Sequence, residues 1–356
     1  MSINKKLTWV SVLLLFSVLL SGCGLLNNEG EKKIDPTKEV TYEETGETKA
    51  TKATKETTAK GEKEAVEDMV MTELYLLDKD GYVVPQTLSL SKTEGIAKQA
   101  IDHLVQNGPV TDMLPNGFKA VLPADTQASV NIKDSVATVD FSKEFANYKA
   151  EDEVKILQAV TWTLTQFDSV ETVKLQINGN ELTEMPVNKT PIGNGLTRAS
   201  GINIDTNDVV DLANTRAVTV YYLGGEEDSY YYVPVTKRVS NKITDNVEAA
   251  VNELIEGPNY TTNLLSDFVS GVELIDKPKI ENGKVTLNFN ESIFGSFEEK
   301  MVSQHLINTL VLSLTEQKGI ESVSVLVNGK AELVNEKGEK LTEPVTRPEK
   351  VNTGSF

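Results

Sequence analysis

The chain has 356 residues and a formal net charge of -18, with 53 acidic against 35 basic residues. An acidic surface of this kind repels nucleic acid and anionic lipid headgroups, which excludes a nucleic-acid-binding protein and membrane attachment through basic residues. One cysteine and two histidines exclude a disulfide-stabilised scaffold and a histidine-rich metal cluster.

The N-terminal residues have the pattern of a secretory signal. Lys5 and Lys6 precede an apolar segment at residues 7–20, and small residues follow at Ser21 and Gly22. A membrane-spanning helix needs roughly 20 apolar residues, so a segment of about 14 is too short for a comfortable span. We therefore expect residues 1–22 to be a signal peptide that is removed.

The cysteine of the chain lies directly after this signal. Leu20, Ser21, Gly22 and Cys23 resemble the lipobox of bacterial lipoproteins. The resemblance implies that Cys23 carries a diacylglyceryl group and holds the protein at the outer face of the cell membrane, because two acyl chains are enough for stable attachment. The alternatives are an uncleaved signal anchor with a free thiol, or a small residue near an ordinary cleavage site.

A segment of different composition follows the lipobox. Residues 29–68 consist largely of Glu, Lys, Thr and Gly, and they offer too few apolar side chains to offset the entropy lost on folding. We expect residues 23–68 to form the lipidated N-terminus and a disordered tether, with an average reach on the order of 35 Å.

The rest of the chain contains an internal repeat. Apolar residues of AIDHLVQNGP (100–109) recur in AAVNELIEGP (249–258) at spacings of three and four, which predicts an amphipathic helix in each copy. Thr93 and Thr244 are the candidate N-caps of these helices. A second helix follows in each copy and leads into an alternating strand and an Asn-Gly turn.

Strands complete the pattern of each copy. A strand opens the copy, and the strand-like segment after it contains Pro85 or Pro234, which favours an edge or irregular position. Two more strands lie between the helices. The order predicts an α+β fold with two tandem copies of a small domain, in which two helices pack on a mixed β-sheet around a β-α-β-β-α-β core.

The repeat also predicts the domain boundaries. We expect a first domain at residues 69–198, a connector at 199–216 and a second domain at 217–348. The connector contains Ile202 and Ile204 among other apolar residues, too many for a free linker. We therefore expect it to pack against one or both domains and to fix their relative orientation.

Several motifs carry a resemblance to a known family. They are a helix that ends in Gly-Pro, a Val-Asp-Phe-Ser strand at residues 139–142, and Thr-Leu-Thr at 163–165 before a Val-x-x-Val strand. These motifs resemble the GerMN domain, and two copies behind a lipobox resemble the sporulation and spore germination lipoproteins of endospore-forming bacteria. The resemblance implies a fold similar to the ring-building modules of sporulation complexes. It also implies an assembly role at the membrane between mother cell and forespore.

The second copy departs from these motifs. Asn288 and Asn290 stand where the first copy has Asp140 and Ser142, and a serine at 313 replaces the threonine at 163. No role that needs a carboxylate at Asp140 can therefore be shared by both copies.

The sequence offers few groups for catalysis. His103 aligns with Glu253 and His305 aligns with Lys155, so we expect both histidines on solvated helix faces. A nucleophile elbow and a phosphate-binding glycine loop are missing from the sequence. We expect no catalytic residue, metal or cofactor.

Three classes of function follow from these observations. The favoured one is a lipid-anchored, non-catalytic binding protein whose partners are envelope or sporulation-complex proteins, or peptidoglycan. A cell-wall hydrolase or its regulator is an alternative, because Glu181, Glu184, Glu298 and Glu299 could supply paired carboxylates. A solute-binding lipoprotein is another, and it would need a polar cleft between the domains.

One aromatic stretch is a candidate interaction surface. Side chains of Tyr230 and Tyr232 would lie on the same face of a strand, where they could stack on glycan or anchor a protein partner. The alternative is ordinary packing of a tyrosine-rich strand, since tyrosine is common in strands.

Overall fold

The computed structural model describes residues 69–207, 211–227, 229–294, 301–331 and 333–353. The predicted signal peptide, Cys23 and the tether lie outside these residues. No helix within the described ranges is long and apolar enough to cross a membrane.

The first copy follows the predicted order of elements, with two strands, a helix, two strands, a helix and a strand. In chain order the elements are β1 (Met69–Leu77), β2 (Val83–Ser91), α1 (Ile96–Asp102), β3 (Ala128–Lys133), β4 (Val136–Phe141), α2 (Glu153–Leu164), β5 (Thr172–Ile177) and β6 (Asn180–Glu181).

The second copy repeats this order and adds short strands near its C-terminal end. Its elements are β7 (Thr215–Gly224), β8 (Tyr231–Ser240), α3 (Asn246–Glu256), β9 (Lys279–Glu281), β10 (Lys284–Phe289), β11 (Met301–Val302), α4 (Gln304–Thr315), β12 (Ser322–Val327), β13 (Val334–Asn335) and β14 (Val345–Thr346).

Each copy contains a mixed sheet. In the first copy, β4 pairs antiparallel with β3 and parallel with β5. In the second copy, β10 pairs antiparallel with β9 and parallel with β12. The opening strands form separate antiparallel hairpins, β1–β2 and β7–β8. The predicted α+β fold class is confirmed, and the hairpin beside each mixed sheet is a feature that the sequence did not reveal.

The predicted N-caps, Thr93 and Thr244, are wrong. Gly95 precedes α1 and has no side chain that could accept a hydrogen bond. Asp245 precedes α3, and its carboxylate accepts the N–H of Val247 at 2.8 Å. An aspartate reaches the free N–H groups of the first turn as a threonine does, and its charge also suits the positive end of the helix dipole.

A buried hydroxyl ties the opening strand of each copy to its second helix. The N–H of Tyr75 in β1 donates to Oγ1 of Thr163 in α2 at 3.0 Å. The N–H of Tyr221 in β7 donates to Oγ of Ser313 in α4 at 2.8 Å. Serine and threonine thus make the same contact, so the departure of Ser313 from the family motif leaves this attachment intact.

Apolar side chains of both copies form one continuous core. Buried Val160 of α2 and buried Leu310 of α4 belong to the same cluster as Val84 of β2 and Val233 of β8. The predicted boundaries at residues 69–198 and 217–348 stay predictions, because the shared core leaves no gap that separates the copies.

The first residue of α2 is a buried carboxylate. The side chain of Glu153 accepts the N–H groups of Asn188 at 2.7 Å and Thr190 at 2.9 Å, and the hydroxyl of Tyr148 at 2.7 Å. Burial alone would raise the pKa of Glu153, but these donors outweigh it and lower its pKa from 4.5 to about 2. The carboxylate therefore holds the loop at residues 187–190 on α2.

This contact predicts a pH dependence of stability. Because the pKa of Glu153 is lowered by folding, its contribution is complete above pH 4.5 and is lost as the pH falls toward about 2. We expect Glu153→Gln to lower the free energy of unfolding at pH 7, and to differ less from the unaltered protein at pH 3. Urea denaturation at both pH values measures this difference.

Glu151→Gln is the matched control, because Glu151 is exposed and its ion pair with Lys149 is 3.8 Å long. A loss of stability equal for the two variants, or a Glu153→Gln effect that is the same at both pH values, would contradict this account.

Candidate functional site

The two copies meet where β2 and β8 lie side by side. Each strand pairs with one strand of its own hairpin, and each contains a proline, Pro85 or Pro234, which has no N–H to donate. Carbonyl oxygens on the facing edges therefore need donors from elsewhere. We call β2, β8 and the two segments that bind them, residues 201–205 and 351–352, the seam.

An asparagine supplies the donors at one end of the seam. The Nδ2 of Asn203 donates to the carbonyl oxygens of Val83 and Pro234, both at 2.8 Å. Its Oδ1 accepts the N–H of Val83 at 2.9 Å. One side chain thus joins a strand of the first copy to a strand of the second.

A second asparagine does the same at the other end. The Nδ2 of Asn352 donates to the carbonyl oxygens of Pro85 at 2.8 Å and Tyr232 at 2.9 Å. Its Oδ1 accepts the N–H of Tyr232 at 2.8 Å. Since Val83 and Tyr232 each lie two positions before a proline, the two sets of contacts correspond residue by residue. The seam has approximate two-fold symmetry.

The segments that carry these asparagines are exchanged between the copies. The N–H of Ile202 donates to Oγ1 of Thr236 in β8 at 2.9 Å, and the N–H of Thr236 donates back to Ile202 at 2.9 Å. The N–H of Val351 donates to Oγ1 of Thr87 in β2 at 2.8 Å, and the N–H of Thr87 donates back at 3.0 Å. Each copy therefore adds a short segment to the hairpin of the other.

The connector continues along the second copy. Asp205 pairs with Lys237 at 3.0 Å, and both side chains are largely buried. Ile202 is fully buried, whereas Ile204 and Leu212 are 50% and 58% exposed. The first part of the connector thus packs against the second copy, as the apolar residues indicated, while two of its hydrophobic side chains face solvent.

A buried ion cluster lies at the C-terminal end of α4. The carboxylate of Glu316 pairs with Arg198 at 2.7 Å and Arg347 at 3.2 Å, and it accepts the hydroxyl of Tyr221 at 2.9 Å. Arg347 also lies 3.6 Å from Glu73 in β1. The cluster therefore joins charged side chains of both copies.

The environment of this cluster shifts its proton equilibria. Burial alone would raise the pKa of Glu316, but the charges of Arg198 and Arg347 outweigh it and lower that pKa below its ordinary value. Burial, and next the charge of Glu316, raises the pKa of Tyr221. The side chain of Glu316 is only 7% exposed, so its partners are these arginines rather than a substrate.

A cleft of about 320 Å³ opens between the copies beside Asn203. The second helix of the first copy contributes Lys155 and Gln158, and the second copy contributes Thr262 and other residues of the loop after α3. The Oε1 of Gln158 accepts the N–H of Asn203 at 3.3 Å. The ammonium of Lys155 lies over Gly81, where an added Cβ would come within 2.9 Å of Nζ.

Aromatic rings occupy the corresponding position beside Asn352. The hydroxyl of Tyr232 accepts Nδ2 of Asn308 at 2.7 Å and shares a hydrogen bond with Nδ1 of His305 at 3.0 Å. The ring of Tyr230 meets the same imidazole edge-on, with ring centroids 5.6 Å apart. Both candidate tyrosines are half-buried and contact one histidine, and their role as an interaction surface stays a prediction.

The expectation that His103 and His305 lie on solvated helix faces is wrong. His103 is 8% exposed, and its Nδ1 is 2.7 Å from the carbonyl oxygen of Gln99. His103 is the C-cap residue of α1 and keeps helical backbone angles, and its ring lies against the last turn of that helix rather than in solvent. His305 is half-buried against the tyrosines described above.

The polar residue in the Val-Asp-Phe-Ser strand has a structural contact. Oδ1 of Asp140 accepts the N–H of Gly179 at 2.9 Å, and Oδ1 of Asn288 accepts the N–H of Gly329 at 2.9 Å. Both hold the Asn-Gly turn of their copy, which needs an oxygen but not a charge. Within the described ranges, a search for groups of three or more His, Cys, Asp or Glu side chains that could hold a metal ion finds none.

These observations define the class of protein: a tandem α+β repeat whose copies share a core and exchange the segments that join them. A family model described as sporulation and spore germination, named Germane, matches residues 73–183 and 219–333. The chain belongs to the Germane family, and it is a protein of sporulation and spore germination.

Similar proteins agree with this assignment. The spore germination protein GerM of Bacillus subtilis (strain 168) is 57% identical over 350 residues, which cover 96% of each chain. The solved structure of the tandem GerMN domains of the sporulation protein GerM from Bacillus subtilis matches with a TM-score of 0.77 and 60% identity. The match covers 81% of this chain and 100% of that one. The resemblance to tandem GerMN domains is confirmed.

Sequence reasoning missed both asparagines of the seam, although a signal for them exists. The segments LTRASGIN (196–203) and VTRPEKVN (345–352) share Thr-Arg and end in asparagine at the same offset as the repeat. The predicted second domain stops at residue 348, so the second half of the latter segment, with Asn352, falls outside it.

The seam predicts the effect of removing one asparagine side chain. Asn352→Gly keeps a residue that tolerates the observed φ of 55°, but it leaves the carbonyl of Pro85 and the backbone of Tyr232 without their partner. We expect a loss of about 1–3 kcal/mol in the free energy of unfolding. Urea denaturation measures it.

Asn282→Gly is the control for backbone conformation, because Asn282 also has a positive φ, 50°, but lies exposed in a turn. Equal stability of the two variants would show that the side chain of Asn352 does not hold the seam.

Proposed function

We propose that this sporulation and germination protein is a lipid-anchored, non-catalytic binding protein on the outer face of the cell membrane. The observation that carries the proposal is the use of its buried charged groups. Glu316 and Glu73 balance the charges of Arg198 and Arg347 between the two copies, and the Glu316 carboxylate is only 7% exposed, which closes it to a substrate. Because these charged side chains hold the two copies in one relative position, the protein is suited to presenting a fixed surface to a partner.

The attachment to the membrane follows from the lipobox. Cys23 would carry the diacylglyceryl group, and the acidic, threonine-rich tether would let the double domain reach partners away from the bilayer. Those partners are proteins of the envelope or of a sporulation complex, or peptidoglycan. The half-buried pair Tyr230 and Tyr232 is one candidate contact surface.

Two other functions remain as alternatives with different support. A cell-wall hydrolase needs two carboxylates across a cleft, but Glu181 and Glu184 are exposed and paired with Lys174 at 2.8 Å and Lys189 at 3.1 Å. The other two candidates, Glu298 and Glu299, lie outside the described residues. A solute-binding role has one observation in its favour, which is the polar cleft between the copies.

The anchor is tested by replacing its cysteine. We expect Cys23→Ser to abolish labelling with radioactive palmitate and to move the protein out of the membrane fraction, because the sequence contains no other thiol to which a lipid could be attached. Membrane retention of an unlabelled Cys23→Ser protein would support an uncleaved signal anchor instead.

The non-catalytic role is tested by incubating the purified full-length chain with peptidoglycan. We expect no release of soluble fragments, with lysozyme as the positive control, because the described acidic pairs are solvated or neutralised by basic side chains. Release of fragments that is lost in a Glu181→Gln or Glu184→Gln variant would overturn the proposal in favour of a hydrolase.

A further inference from the structure

The two-fold symmetry of the seam relates the surroundings of Asn203 to those of Asn352, and the side chains at these two places differ. Beside Asn352, the second copy places Tyr230 and Tyr232 against His305. Counting back from the prolines, the equivalents of these tyrosines in the first copy are Gly81 and Val83. Gly81 lines the cleft, so the cleft lies where the first copy has no ring to match that of Tyr230, while the fully buried Val83 replaces the larger Tyr232.

The polar groups that face these rings have equivalents in the cleft. His305 corresponds to Lys155 and Asn308 corresponds to Gln158, at the same positions of α4 and α2. In the second copy, Asn308 donates to the hydroxyl of Tyr232 at 2.7 Å. In the first copy, Lys155 and the Nε2 of Gln158 make no hydrogen bond or ion pair with the described part of the chain.

We propose that the cleft binds a tyrosine side chain of a partner protein. The ring would take the place that aromatic side chains take in the second copy, and its hydroxyl would accept hydrogen bonds from Lys155 and Gln158. The inference rests on the binding role proposed above, and the group that it assigns to the partner is a phenol ring.

The charges around the cleft favour a neutral group over an ion. Asp205 lines the cleft, but its carboxylate is neutralised by Lys237 at 3.0 Å. The remaining charges, Lys155 and the exposed Glu151, are of opposite sign. A volume of about 320 Å³ is at the lower end of the range for small-molecule sites, which suits one side chain better than a large ligand.

The test is titration of the full-length chain with N-acetyl-tyrosinamide, followed by the NMR amide shifts of Gly81 and Asn203. We expect saturable shifts, and binding of N-acetyl-phenylalaninamide that is roughly threefold to tenfold weaker, because that ring lacks the hydroxyl. Lys155→Met should reduce the preference for tyrosine while leaving the phenylalanine analogue unaffected.

A blocking variant tests the position. Ile204→Trp should abolish binding, because Ile204 lines the cleft and is 50% exposed. Ile280→Trp is its matched control, since Ile280 is 48% exposed on β9 and should leave binding unchanged. Native amide spectra of both variants would show that they fold.

Three results would overturn the inference: no saturable binding, binding that survives Ile204→Trp, or preferential binding of the disaccharide of N-acetylglucosamine and N-acetylmuramic acid at the same amides. None of these alone removes the anchored, non-catalytic role, which depends on the palmitate and peptidoglycan experiments.

Discussion

An unpaired strand edge is the constraint around which the two copies are arranged. A two-stranded hairpin exposes backbone groups on both sides, and such edges must be covered or they invite pairing with other chains. Here the edges of β2 and β8 face each other, with Pro85 and Pro234 in place of donors. The exchanged segments, residues 201–205 and 351–352, cover the strand edges of both hairpins. Neither copy would have its hairpin edge satisfied without the other.

The ion cluster shows how a symmetric arrangement can be stabilised by asymmetric residues. Arg198 and Arg347 each lie five positions before the asparagine of their segment, so both arrive near the end of the seam. The second helix of the second copy presents Glu316, while the equivalent residue of the first copy is Gln166. Gln166 donates to the carbonyl of Glu73 and accepts its N–H, which leaves the Glu73 carboxylate available to Arg347.

Two acids thus balance two arginines inside the protein. Removing one partner of a buried ion pair leaves an uncompensated charge, which is far more costly than the net gain from the pair. Such a cluster favours one relative position of the copies over others, because any displacement would separate opposite charges that are partly shielded from water. The Arg198 guanidinium also lies 4.3 Å from the ring centroid of Trp162, which fixes its plane.

Much of the fold could be predicted from the repeat, because helical and strand periodicities report which residues are buried. The second helix that the repeat predicted in each copy is present as α2 and α4. Periodicity does not state which strands are neighbours, so the separation of each hairpin from the mixed sheet was not visible. Periodicity also does not state what packs over a helix end, so the burial of His103 was not visible.

The cleft beside Asn203 was harder to predict from the sequence, because it depends on the absence of large side chains in the first copy. Tyr230 and Tyr232 attract attention as aromatic residues, whereas Gly81 and Val83 at the equivalent positions do not. A cleft that arises from small side chains in one copy becomes visible when the two copies are related in space. Within each copy alone, neither Gly81 nor Lys155 belongs to a recognisable motif.

Divergence between the copies has a consequence for how a partner could engage the protein. A perfect two-fold repeat would offer two equal sites, and a symmetric partner could bridge several molecules. In this chain the place beside Asn352 is occupied by the protein's own tyrosines, and the place beside Asn203 is open. Because the shared core and the exchanged segments hold both places in one unit, the repeat presents the cleft beside Asn203 in a defined orientation. The duplicated domain therefore offers its cleft in one orientation. A single copy could not do so, because its hairpin edge would be uncovered.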